Sequence, residues 1–421
     1  MPRKALAGLT ILALAVSACS SNPDANPTPA TSPSAQATGS GQTTSGQPST
    51  QSAGHTLPVA SVFGGPAWSM QIPPSWEQMT PIVTAKRVIA LDEAVVRAYD
   101  SQGMEVWATD WKPLAEEDRA TGQPPVLRQV SPEVVAVIDT GKVEGEGLST
   151  STYAALVTLI NIEDGTLVKE VSVPGSKSDT PKLSAIGLGF ALPDRTAVVV
   201  LPGGEVGEAP PAPFEARLVG AASVGENPIG LWETGSVSAL SSFGGTGWSS
   251  SDSAPSAATV NSLVYGSDMD LLLLGRWNEP TTGQGKAGEV VFQVLDAASG
   301  SVLAKPECGP AVESQFVVSP DREWKVAGPL RLGPGNKVDC VGGGDGEKTV
   351  TFSAVTDQGR AFGAAGEGGA DPLLVDSTPG QEPKTHELPE GAASPIGVME
   401  GDLAIHWESK TGIITANPIE R

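Results

Sequence analysis

Val95-Val96-Arg97-Ala98-Tyr99-Asp100 runs into Ser101-Gln102-Gly103 and resumes as Met104-Glu105-Val106-Trp107. Side chains of a strand point alternately to its two faces, so β-branched and aromatic residues spaced in this way read as half-buried strands. Gly103 between the two runs supplies the positive φ that a tight hairpin turn needs. The plan recurs along the chain. Ala155 to Ile162 turns at Glu163-Asp164-Gly165 into Thr166 to Val173, Glu289 to Asp296 turns at Ser299-Gly300, Leu373 to Asp376 turns at Pro379-Gly380, and Leu403 to Glu408 turns at Thr411-Gly412. Weaker copies lie at Ala216 to Trp232 and at Val350 to Phe362. Hairpins repeated to one plan predict an all-β chain made of repeats.

Composition agrees with this reading. Gly (50) and Pro (36) make up a fifth of the 421 residues, and only 18% are charged, which leaves little material for long exposed helices. The formal charge of −22 repels phosphate backbones and anionic lipid surfaces, so nucleic acid is excluded as a partner.

The spacing from an acidic residue to Gly resembles the outer hairpin of quinoprotein-like and WD-repeat-like β-propeller blades, whose repeat reads roughly Ala-x-Asp-x-x-Thr-Gly-x-x-x-Trp. Asp296 to Gly300 and Glu408 to Gly412 match that spacing, and Ala98-Tyr99-Asp100 to Gly103 and Trp107 is one residue shorter. Phe316-Val317-Val318-Ser319-Pro320-Asp321 is similar to a strand-and-turn element inside such blades, with Pro fixing φ and Asp accepting backbone hydrogen bonds. The resemblance covers residues 60–421 and implies a β-propeller of about seven four-stranded blades, about 52 residues each. It implies a binding or scaffolding module, or alternatively an enzyme working in the axial funnel, as propeller lyases and quinoprotein dehydrogenases do. The adjacent paired cysteines and calcium-carboxylate set of those dehydrogenases are not in this sequence, and no cofactor is expected.

Ahead of the repeats, Arg3 and Lys4 precede the apolar run Ala5 to Val16, which closes on Ser17-Ala18. This reads as a signal peptide over residues 1–18, since twelve apolar residues make a helix of only about 18 Å against a hydrocarbon core of roughly 30 Å. Val16-Ser17-Ala18-Cys19 resembles the lipobox of bacterial lipoproteins, which implies that Cys19 carries the lipid, palmitate included, and anchors the chain on the extracytoplasmic face of the cell membrane. The Ala/Gly/Pro richness with few Lys likewise resembles exported proteins of high-GC actinobacteria. Of residues 20–58, 36 of 39 are Ser, Thr, Pro, Gly, Gln, Ala or Asn, too little apolar material for a core. Residues 19–58 are therefore expected to be a disordered tether of about 35 Å average reach, and 59–421 the folded domain. After Cys19 only Cys308 and Cys340 remain, an even pair in an exported chain, and a disulfide is expected between them.

Catalytic and metal motifs are scarce. Lys410-Thr411-Gly412 matches part of the penicillin-binding pattern, but no Ser-x-x-Lys accompanies it, and it reads as a hairpin turn. His386 and His406, the histidines outside the tether, fall in expected outer strands, where a structural role is expected of them. There is no Cys-x-x-Cys, His-Glu-x-x-His or Asp-x-Asp-x-Asp-Gly, and no metal site is expected. Gly342 to Glu347 reads as a surface loop, and Asp268 with Asp270 as a solvated strand start. Nine Trp stand against three Tyr. Trp68 and Trp107 are expected to fill gaps between blades, with Trp76 and Trp111 in the same cluster. Trp248, between Gly247 and Ser249 in a Ser/Gly-rich insert, is the candidate contact for an envelope protein, peptide or glycan.

Overall fold

The computed structural model describes residues 56–72, 79–120, 124–144, 151–184, 187–194, 196–209, the strands between 216 and 296, and 299, 301–308, 316–342, 348, 350–365 and 373–420; of residues 208–293 it describes the strand backbone alone. The expected leader, Cys19 and almost all of the expected tether lie outside these residues.

Among the described residues eight antiparallel sheets follow one another along the chain, and apart from an added strand in the fifth and the outermost strand of the eighth, strands pair in sequence order. Blade 1 holds Ile82–Val83, Val88–Asp92, Val95–Tyr99 and Glu105–Asp110; blade 2 holds Val126–Gln129, Val134–Val143, Thr152–Asn161 and Leu167–Pro174. Blade 3 runs Lys182–Leu183, Gly189–Ala191, Ala197–Val200 and Val206–Ala209, and blade 4 runs Ala216–Val224, Asn227–Thr234, Leu240–Ser241 and Ser249–Ser250. Blade 5 is Leu263–Asp268, Leu271–Gly275, Val290–Asp296 and Val302–Ala304, with Glu307–Cys308 pairing against Val290–Asp296 as an added strand. Blade 6 is Val317–Val318, Lys325–Ala327, Leu330–Gly333 and Lys337–Cys340, and blade 7 is Val350–Val355, Ala361–Ala365, Leu373–Ser377 and Lys384–Glu387. Blade 8 takes Gly397–Met399, Leu403–Glu408 and Ile413–Pro418 from the C-terminus, and its outermost strand is Trp68–Gln71 from the other end of the domain.

The sheets close into a ring. First strands touch first strands, Ile82–Val83 meeting both Val126–Gln129 and Gly397–Met399, while blades 3, 4 and 5 follow through Gly189–Ala191, Ala216–Val224 and Leu263–Asp268. The core lies in the seams. Val88, Ala90 and Tyr99 of blade 1 pack on Ile405, Ile414 and Trp68 of blade 8, and equivalent clusters fill the seams from blade 1 to 3 and from 5 to 8. The fold is thus an all-β propeller. Its eight sheets exceed the seven expected, because blade size is uneven: close to the axis Ile82–Val83, Lys182–Leu183 and Val317–Val318 are strands of two residues each.

Trp68 and Trp107 fill inter-blade gaps as expected. Each indole belongs to an outermost strand, and each lies on the turn glycine of the next blade. Trp68 Nε1 donates to Ser101 O (2.9 Å) beside Gly103, and Trp107 Nε1 donates to Ile162 O (2.9 Å) beside Gly165. A Cβ at Gly165 would stand 2.6 Å from Trp107 Cδ2, and φ there is +73°, so the turn conformation and the ring contact both select glycine. Trp111 is buried and donates to Glu93 O (3.2 Å), while Trp76 lies outside the described residues.

Cys308 and Cys340 are bonded, 5.4 Å apart at Cα. Cys340 ends the outermost strand of blade 6 and Cys308 belongs to the added strand of blade 5, so the bond staples one seam of the ring.

Candidate functional site

An antiparallel four-stranded meander places its first and third turns at one end of the blade and its second at the other. The turn after each first strand therefore lies at one end of the axis, and these turns carry charge: Lys86 and Arg87 in blade 1, Glu133 in blade 2, Asp321, Arg322 and Glu323 in blade 6, Asp357 and Arg360 in blade 7, Glu400 and Asp402 in blade 8. Residues distant in sequence are brought to one surface by ring closure alone.

Hydrogen bonds join three neighbouring pairs of blades at this end. Glu400 N donates to Ala85 O (2.8 Å) from blade 8 to blade 1, Asp321 N donates to Asp357 Oδ1 (2.9 Å) from blade 6 to blade 7, and Arg128 Nη1 donates to Ser184 O (3.0 Å) and Gly187 O (2.6 Å) from blade 2 to blade 3. Within blade 6 the expected Ser-Pro-Asp turn is present. Ser319 Oγ donates to Asp321 Oδ1 (2.6 Å), Trp324 N donates to Ser319 Oγ (3.0 Å), and Arg322 sits at φ +66°. Trp324 then packs its indole on Gly359 of blade 7, as the outer Trp residues do on their glycines.

This surface perturbs its own ionisable groups. Burial, with the nearby charge of Asp321 and Asp402, pushes the Asp357 carboxyl up, although the hydrogen bond from Asp321 N works against it. Burial and the neighbouring Arg322 hold Lys325 below its ordinary value, while its Nζ donates to Arg322 O (2.7 Å). Burial lowers Arg322 as well, offset by Glu133, and pushes Arg128 down to about 10. Among the described residues no group of three or more His, Cys, Asp or Glu side chains is placed to hold a metal ion.

The histidines stand elsewhere. His386 is on the outermost strand of blade 7, its Nε2 3.6 Å from Asp376 Oδ2, and that carboxylate is already held by Arg360 at 2.9 and 2.8 Å. His406 differs from the expectation of an outer strand: it lies on the second strand of blade 8, buried to 1% exposure, with Nδ1 3.1 Å from Ala393 O and its ring edge-on to Phe63. Burial pushes it down to about 4, so it is neutral and its Nδ1–H donates to Ala393. Lys410-Thr411-Gly412 is the turn it was read as. Glu408 Oε1 and Oε2 accept from Lys410 N (3.1 Å) and Thr411 N (2.9 Å), and Gly412 has φ +69°. It joins the second and third strands of blade 8, not an outer hairpin. Trp248, Asp270 and residues 343–347 of the glycine loop lie outside the described residues, as does the side chain of Asp268.

Two features were missed from the sequence. Arg331 is buried in the blade 6–7 seam, where Nη1 donates to Gly359 O (3.1 Å) and Ser377 O (2.7 Å) and Nη2 pairs with Asp339. The stitched charged turns were missed too, because no linear spacing joins Glu133 to Asp321 or Asp402.

No protein-family model matches the chain, and no curated protein matches it in sequence. Among solved structures it is similar to BamB from Moraxella catarrhalis, at 9% identity and TM-score 0.44 over 84% of this chain and 97% of that one. It is similar to the Dos1 propeller, at 9% identity and TM-score 0.42 over 85% and 96%, and to a chain of the mitotic checkpoint complex, at 11% identity and TM-score 0.40 over 87% and 99%.

Proposed function

We propose that this chain is a lipid-anchored binding or scaffolding module of the bacterial cell envelope, with the stitched turn surface as its partner-binding face. The observation that supports this most is the surface itself. Turns from five blades bring carboxylates and guanidinium groups from distant parts of the chain to one end of the axis, and hydrogen bonds between blades join the turn of blade 8 to that of blade 1 and the turn of blade 6 to that of blade 7. A preorganised polar surface loses little ordering entropy on binding. The partner is an envelope protein, peptide or glycan, and Trp248 belongs to the proposed contacts. Anchoring is proposed at Cys19, from the Val-Ser-Ala-Cys junction: Cys19→Ala should move the protein out of the membrane fraction, because the acidic domain adds no affinity for anionic lipid. Unchanged membrane retention of that variant contradicts the anchor. For the face, affinity capture from envelope extract with the full chain should yield a partner that Asp321→Asn/Asp402→Asn loses, and an unaltered capture contradicts it.

One observation favours a second reading, a propeller enzyme. Asp357 pushed up and Lys325 pushed down at one surface are the kind of perturbation that acid–base chemistry uses. Turnover of a polysaccharide or peptide library that Asp357→Asn abolishes, with fold intact, would establish that reading in place of the first.

A further inference from the structure

All six large apolar side chains that stand exposed among the described residues lie on, or one residue ahead of, an outermost strand. They are Met104 and Val106 in blade 1, Leu167 and Val168 in blade 2, Val206 in blade 3 and Leu303 in blade 5. Val106, Val168 and Leu303 share a further feature: each is the extra residue of a β-bulge, skipped by the pairing with the third strand. Their exposures are 42%, 37% and 40%. A bulge re-aims the side chain it carries, and edge strands ordinarily place charged residues there to block pairing with other chains. In this ring the same edge position carries Val, Val and Leu.

Blades 1 and 2 bring four of the six together. Trp107, next to Val106, lies on Gly165, two residues ahead of Leu167, and Thr109 Oγ1 donates to Gly165 O (2.6 Å) across the same seam. The surrounding charge is acidic. Arg97 pairs with Glu105 (2.8 Å) and Arg87 with Glu163 (3.6 Å), which leaves the exposed carboxylates of Asp164 and Glu170 against Lys169, whose stem packs on Gly204. A second copy of the chain would set these carboxylates against their own kind, whereas lysines and arginines beside apolar anchors would match both features.

We propose that the rim of blades 1 and 2 is a docking surface for a protein segment whose apolar side chains are flanked by Lys and Arg. This rests on the reading of the chain as a binding module and adds a surface at the rim to the one at the axis. The test uses the full chain and a fluorescein-labelled peptide of alternating Leu and Lys, followed by anisotropy at about 0.15 M salt, where purely surface electrostatics is screened. Alternating Ser/Lys and Leu/Glu peptides are the controls. The Leu/Lys peptide should bind, the two controls should not, and Val106→Ser/Leu167→Ser/Val168→Ser should weaken binding by about tenfold or more. These side chains support no core, so the triple variant should melt as the parent does. An unchanged affinity in the triple variant overturns the proposal. Equal binding of Ser/Lys and Leu/Lys overturns it as a mere charge effect, and a dimer that the triple variant abolishes replaces the basic segment by a second copy. Asp321→Asn/Asp402→Asn should leave peptide binding intact. Loss of partner capture in that variant with rim binding unchanged bears on the axial face alone, so the two readings fail separately.

Discussion

At the residue scale, glycine and histidine carry the sharpest consequences. Gly165 was legible as a turn residue from its place after Glu163-Asp164, but its second duty, making room for Trp107 of the preceding blade, depends on a contact across 58 positions that no local pattern encodes. Gly165→Ala meets both a left-handed φ of +73° and an indole 2.6 Å away, so it should destabilise the domain by about 2 kcal/mol or more in denaturant unfolding. A loss below about 0.5 kcal/mol would mean the seam yields freely. His406 was read as structural, and burial makes it a proton-linked one. Its folded value near 4 lies below the ordinary 6.5, so folding favours the neutral ring. The stabilisation is therefore complete above pH 6.5 and lost as pH falls toward 4, by about 3 kcal/mol in all. Unfolding free energies at pH 7.5 and 4.5 should fall more in the parent than in His406→Gln, and an equal fall in both would show that His406 does not titrate with folding.

At the scale of the element, the alternating runs and Gly turns made the hairpins legible, and with them the all-β class. Blade count was less so. Three of the innermost strands, Ile82–Val83, Lys182–Leu183 and Val317–Val318, are two residues long, and a run that short carries no periodicity. The strand that completes blade 8 was also hidden, since Trp68–Gln71 pairs with Ile413–Pro418 from the far end of the domain and its partner could not be read from neighbouring sequence. The disulfide was legible by count alone. What the structure adds is its place between blades 5 and 6, where it closes the seam covalently as the blade 8 strand closes the ring by pairing. Cys308→Ser/Cys340→Ser should lower the unfolding free energy by roughly 3 kcal/mol. Peptide mass spectrometry without reductant should recover the linked pair, and quantitative alkylation of both thiols in the unreduced, unfolded parent would contradict the bond.

For the whole molecule, ring closure is what creates the candidate site. Asp321 and Asp357 meet through one hydrogen bond, and the charges of Asp402 and Glu133 bear on the same surface, because first-strand turns from separate blades gather at one end of the axis. Of these residues only Asp321 stood out in the sequence, and only as the turn acid of Ser319-Pro320-Asp321; Asp357, Asp402 and Glu133 read as ordinary turn acids. The partner proposed for this end of the ring is tested most directly by site-specific photo-crosslinking in intact cells. A photoreactive residue is placed in turn at Asp321 and Asp402, at the stitched end, and at Lys410, an exposed position in the turn at the opposite end of blade 8. One and the same adduct is expected from Asp321 and Asp402 and none from Lys410. Adducts from Lys410 with none from Asp321 or Asp402 would contradict the proposal.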